Sequence, residues 1–134
     1  PDGLENVLKS AREITPKDGS LICLFGCGGD RDATKRPKMG AIAEELADVV
    51  IVTSDNPRSE EPQQIITDIL AGLKSVNEVI VEPDRELAIK EAHKIAREND
   101  VVLIAGKGHE DYQILANETI HFDDREKARE IFVQ

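Results

Sequence analysis

Two rhythms of apolar residues run along this chain. Four short stretches are apolar at nearly every position: "SLICLFG" (20 to 26), "DVVIVTS" (48 to 54), "EVIVE" (78 to 82) and "DVVLIAG" (100 to 106). Between them the apolar residues recur at helical spacing. Leu4, Val7, Leu8 and Ala11 form one such set, with Asp2 and Glu5 as a capping box. Met39, Ile42, Ala43 and Leu46 follow Pro37, which a helix tolerates in its first turn. Ile66, Ile69, Leu70 and Leu73 form a third set, and Ala88, Ala92, Ile95 and Ala96 a fourth, in a helix starting near Asp84. The segment after 106 reads as a turn, and "TIHF" (119 to 122) as an alternating strand. A final helix carries Ala128, Ile131 and Phe132, with Asp123 and Glu126 as its capping pair.

Strands that are apolar on both faces and alternate with helices predict a parallel sheet covered on both sides. The amphipathic "TIHF", reached by a short connection, predicts an antiparallel edge near the C-terminus. The predicted fold is α/β, a Rossmann-like three-layer sandwich in one domain. Ligands of such sheets bind beyond the carboxyl ends of the strands. The three loops richest in glycine or charge, "GCGGDRD", "SDNPRSE" and "AGKGHED", each follow a strand. They are therefore expected to share one edge of the sheet.

Composition narrows the ligand. The 134 residues are 40% hydrophobic and 33% charged, as in a soluble globular protein, and carry a net charge of −10. That charge argues against nucleic acid or an anionic membrane as partner, since phosphate contacts need a basic surface. An anion bound here must be held by local donors. With aromatic residues at 3%, the core rests on Ile, Leu, Val and Ala. Cys23 and Cys27 have no second pair with which to build a zinc site and read as buried free thiols in a reducing cytosol. No run approaches the length of a membrane span, and no signal peptide is visible. The chain begins Pro1-Asp2-Gly3 without an initiating Met and reads as a segment of something longer.

In "GCGGDRDATKRP" (26 to 37), glycines let backbone amides approach a ligand, while Arg31, Lys35 and Arg36 add cations beside a helix start. Arg31 occupies the place of the third glycine in a dinucleotide fingerprint, and no phosphate-loop string exists in the chain. In "SDNPRS", Pro57 fixes the turn and Arg58 offers a planar fork suited to a carboxylate, although an ordinary turn with a surface Arg explains the spacing equally well. In "AGKGHEDY", Glu110 suits an ammonium, whereas a packing or hydrogen-bonding role suits His109 better than catalysis. His93 and His121 are not at ligand spacing with His109, so no metal site is expected. Arg31 and Arg58 with Glu110 at one sheet edge fit a zwitterionic small molecule.

At these loops the sequence resembles the C-terminal domain of the Mur ligases. The matching strings are Pro1–Leu8, "FGCGGDRD", "KRPKMG", "TSDNPRSE" and "AGKGHEDYQ", in order along essentially the whole chain. Within that family "DNPR" resembles the signature of members that accept meso-diaminopimelate. The resemblance implies that Arg31, Asn56 and Arg58 bind the carboxylates and polar groups of the diamino acid. It further implies that Gly106 and Glu110 receive the distal end, that Asp55 orients its loop, and that Arg31 approaches the nucleotide phosphates. No catalytic residue is expected in the domain itself.

The implied reaction is ADP-forming amide synthesis onto a UDP-muramoyl dipeptide, in peptidoglycan biosynthesis in the cytoplasm. ATP and Mg2+ would serve the full-length enzyme, whose UDP-binding and central ATPase domains lie outside residues 1–134. The domain alone is expected to be inactive, to require no cofactor, and to be monomeric. Other readings of the same loops are a stand-alone nucleotide- or phosphate-binding regulatory module, or a ligase domain using a related diamino acid such as lanthionine. A folate-adding ligase domain is disfavoured by "DNPR" and "GKGHE". One departure from the family is Thr34, where members often have glycine. A β-branched residue there disfavours positive φ.

Overall fold

The computed structural model describes residues 2–27, 33–54, 59–74, 78–105 and 112–116. Its elements run in the order α1 (Asp2–Ile14), β1 (Leu21–Phe25), α2 (Lys35–Leu46), β2 (Val49–Val52), α3 (Pro62–Leu70), β3 (Glu78–Val81), α4 (Arg85–Ile95), β4 (Val101–Ala105) and β5 (Tyr112–Ala116). The sheet has strand order β3-β2-β1-β4-β5. The first four strands are mutually parallel, and β5 pairs antiparallel with β4, Ala105 opposite Tyr112.

Alternation along the strands sorts the core into two layers. Leu21, Cys23 and Phe25 of β1 pack against α1, α2 and α3, through Leu4, Leu8, Ala43, Ile65, Ile66 and Ile69. Ile22 and Leu24 face the other way, onto Ala88, Ile89 and Ala92 of α4. Three helices therefore cover one face and α4 covers the other, which is the predicted three-layer arrangement. An antiparallel strand pairs with β4 and was not singled out from sequence. Residues 112–116, read from sequence as part of a turn, form β5, because a short return from β4 lets the chain pair directly with the strand it has just left. "TIHF" and the final helix lie outside the described residues, as does the Asp2 side chain of the proposed capping box.

Several local choices agree with their sequence signals. Asp84 caps α4, its side chain accepting a hydrogen bond from Leu87 N at 3.1 Å. Thr34 precedes α2 at φ −68°, an ordinary helical value, so no glycine is needed there. Gly72 is needed for a different reason: a Cβ on it would sit 1.8 Å from the carbonyl oxygen of Pro37. At the amino edge of the sheet, Asp48 accepts from Leu21 N at 2.8 Å and from Arg12 Nη1 at 3.0 Å.

Neither cysteine is in a disulfide, and both are buried. Burial pushes the Cys23 thiol up to about 12, from an ordinary value of 9.0. The folded state therefore holds this proton where the unfolded chain has released it, and stability falls as pH rises between those values. Roughly 1 kcal/mol is expected to be lost between pH 9 and about pH 10. Urea titrations across that range would show a shallower pH dependence for Cys23→Ala than for the wild type. Parallel pH profiles would mean that the thiol does not ionise differently on unfolding.

Candidate functional site

Because β1 to β4 are parallel, their carboxyl ends (Phe25, Val52, Val81 and Ala105) lie on one edge, and β5 starts there too. The three loops singled out from sequence leave from this edge. The chain from β1 crosses over α2 to β2, whereas the chain from β4 turns back into β5 on the opposite side. The strand order thus reverses between β1 and β4, and such a switch point opens a crevice beyond the strand ends. "GCGGDRD" follows one of these two strands and "AGKGHED" the other.

The rim between the strand ends is laced by hydrogen bonds. Thr53, fully buried, donates its N–H to Phe25 O at 3.0 Å. Ser54 N donates to Pro83 O at 3.3 Å, and Glu82 N to Val52 O at 2.9 Å. Cys27 Sγ donates to Met39 Sδ at 3.6 Å, holding the start of the first loop against α2. Arg31, Asp55, Asn56, Arg58, Gly106 and Glu110 themselves lie outside the described residues, and so do Lys107 and His109. What the structure brings to one edge is their anchors: Gly26 and Cys27, Thr53 and Ser54, Ser59 and Glu60, Ala105 and Tyr112.

One expected donor is corrected. Arg36, read as a cation of the anion loop, points into the protein and is only 2% exposed. Its fork is taken by Glu60, with Nη1 donating to Oε2 at 3.0 Å and Nη2 to Oε1 at 2.8 Å, and Nη1 also donates to Asp68 Oδ2 at 2.9 Å. Hydrogen bonding to Glu60, aided by Asp68, raises the guanidinium pKa against the opposing effect of burial. The group stays charged at any accessible pH and is unavailable to a ligand. Its partner Glu60 sits two residues beyond Arg58, so the pair ties the start of α2 to the far flank of "DNPR". Lys35, its neighbour, is exposed.

Sequence reasoning missed Thr53, Glu60, Asp68 and Arg85 as builders of this rim. Arg85 did carry a signal: a cation in the first turn of a helix opposes the helix dipole, so another contact has to justify it. Glu60 carried none, since a carboxylate after a proline turn looks like any solvated surface charge.

With this edge in place, comparison with known proteins becomes specific. Residues 1–108 match the family described as Mur ligase, glutamate ligase domain. The chain belongs to the Mur ligases. A relative from Thermosynechococcus vestitus is 63% identical over 129 residues, covering 96% of this chain and 26% of the relative. One from Clostridium botulinum is 57% identical over 131 residues, covering 98% of this chain and 26% of the relative. Both are named UDP-N-acetylmuramoyl-L-alanyl-D-glutamate--2,6-diaminopimelate ligase. A solved structure of a ligase of that name superposes with TM-score 0.82 at 42% identity, over 99% of this chain and 27% of the solved one. This Mur ligase chain thus spans about a quarter of the length of the curated relatives it matches.

No helix among the described residues of this Mur ligase chain is long and apolar enough to cross a membrane. Nor, among them, is any group of three or more His, Cys, Asp or Glu arranged to hold a metal ion.

Proposed function

We propose that this chain is the amino-acid-binding C-terminal domain of a cytoplasmic ligase that adds meso-diaminopimelate to UDP-N-acetylmuramoyl-L-alanyl-D-glutamate. The observation that carries the reading is the identity of 57% and 63%, over nearly the whole chain, to ligases named for that substrate. The strand-end geometry supports it, because the anchors of all three charged loops share one edge.

In this reading Arg31, Asn56 and Arg58 hold carboxylates and polar groups of the diamino acid, with Asp55 orienting the loop. Glu110, beside Gly106, takes its distal ammonium. An unlike charge at each end fixes which amine is presented and which is kept away. ATP, accompanied by Mg2+, transfers its γ-phosphoryl group to the free carboxylate of the dipeptide, and ADP leaves. The presented amine attacks the acyl carbon, the carbon–oxygen bond to phosphate breaks, the nitrogen loses a proton, and an amide and phosphate result. Residues of this chain act by positioning the nucleophile, with Arg31 also near the nucleotide phosphates. The UDP-binding and ATP-hydrolysing parts fall to domains outside these 134 residues.

The test is an NMR titration of the labelled chain with meso-diaminopimelate, L-lysine and ATP in turn. Shifts at residues 28–32, 55–58 and 106–110 with meso-diaminopimelate, and not with L-lysine, are the expected result. Equal responses to both amino acids would remove "DNPR" as the reader of the second carboxylate. A response to ATP alone, confined to 26–32, would favour the nucleotide-binding module instead.

A further inference from the structure

Strand β1 lies between β2 and β4, so no ladder hydrogen bond joins the carboxyl ends of those two strands. They stand roughly 10 Å apart, two strand spacings. Arg85 bridges them. Its Nη1 donates to the carbonyl oxygen of Ser54 at 3.4 Å and its Nη2 to that of Ala105 at 3.0 Å. Ser54 is the residue before Asp55, and Ala105 the residue before Gly106.

The side chain is half-buried and occupies the first position of α4. That helix packs on β1 and β2 and shares one apolar cluster with Ile51 of β2 and with Val102 and Ile104 of β4. Capping is done by Asp84, and the helix dipole disfavours a cation in the first turn. A planar fork with two outward nitrogens can serve two carbonyls at once, whereas a lysine ammonium on a shorter reach cannot keep both.

We infer that Arg85 is a positioning residue that fixes the spacing between Ser54 and Ala105, the residues from which "DNPR" and "GKGHE" depart, and so matches the site to the length of a diamino dicarboxylate. This rests on the function proposed above, in which the first loop reads one end of the substrate and the second reads the other. A shift of either loop relative to its partner would leave both charged ends reachable singly but not together.

The experiment compares the full chain with Arg85→Gln and Arg85→Lys in two measurements. The first is amide hydrogen exchange without ligand. Faster exchange at residues 54 to 58 and 106 to 110 together, with β1 unchanged, is expected for Arg85→Gln. The second is the Kd for meso-diaminopimelate, expected to rise about tenfold for Arg85→Gln, with Arg85→Lys recovering part of that loss. Under the same conditions, Arg31→Ala should weaken binding without accelerating exchange at 106 to 110. Unchanged exchange at both loops, or a wild-type Kd in Arg85→Gln, would overturn the inference. A uniform rise in exchange across β1 to β4 would also overturn it, by making Arg85 a general stabiliser. A wild-type chain that binds no diaminopimelate would count against the proposed function, while the exchange measurement would still decide whether Arg85 sets the loops.

Discussion

Arg36→Met is expected to lower the unfolding free energy by roughly 2–3 kcal/mol. Met keeps much of the apolar packing of the arginine stem, so the loss reports the charged contacts. Three charge-assisted hydrogen bonds disappear at once, and Glu60 and Asp68 are left near each other without the cation between them. A wholly buried pair broken on one side costs about 3–5 kcal/mol. Here the carboxylates remain 30% and 28% exposed, so water recovers part of that cost. For a chain of this size the change corresponds to a drop in Tm on the order of 10 °C. Urea denaturation at neutral pH, followed by a thermal melt, would measure it. Equal stability of variant and wild type would mean that desolvation of the arginine cancels its ion pairs.

The second large effect falls on substrate use. In the ligase that carries this domain, Arg58→Lys is expected to raise the KM for meso-diaminopimelate by about 10- to 100-fold, or roughly 1–3 kcal/mol. The ammonium keeps the charge but loses the fork that grips both oxygens of a carboxylate. The KM for ATP is expected to stay where it was, because nothing in the proposal brings Arg58 to the nucleotide. Steady-state kinetics with each substrate varied in turn would separate the two. An unchanged KM for the amino acid would take Arg58 out of the site.

The sheet and its helices were legible because each apolar run and each helical spacing has one stable solution. "LICLF" can be buried on both faces only inside a covered parallel sheet, and the burial of alternate residues against α1–α3 and α4 bears this out. An antiparallel strand was foreseen in kind, but the one described, at 112–116, was not picked out, and "TIHF" lies outside the described residues. "YQILA" was absorbed into a turn because it follows the glycines of 106 to 108, and periodicity in so short a stretch does not separate strand from loop. The edge that gathers the three loops was legible from topology alone. The fate of Arg36 was not. Its partners lie 24 and 32 residues away along the chain, and no local pattern distinguishes an arginine that will meet a ligand from one that will meet Glu60 and Asp68. Arg85 carried a local signal, a cation in the first turn of its helix, but its two carbonyl partners lie at the ends of separate strands and could not be read from it.

Both flanks of "DNPR" are held by bonds among the described residues. On one side Thr53 and Ser54 are fixed to Phe25 and Pro83, and on the other Glu60 is fixed to Arg36. The interval 55–58 is thus framed on both sides by residues fixed to other parts of the domain. On the proposed function, the letters that read the amino acid sit within a frame that is anchored on either side of them. A grafted tetrapeptide from a ligase of different preference should keep both of those anchors.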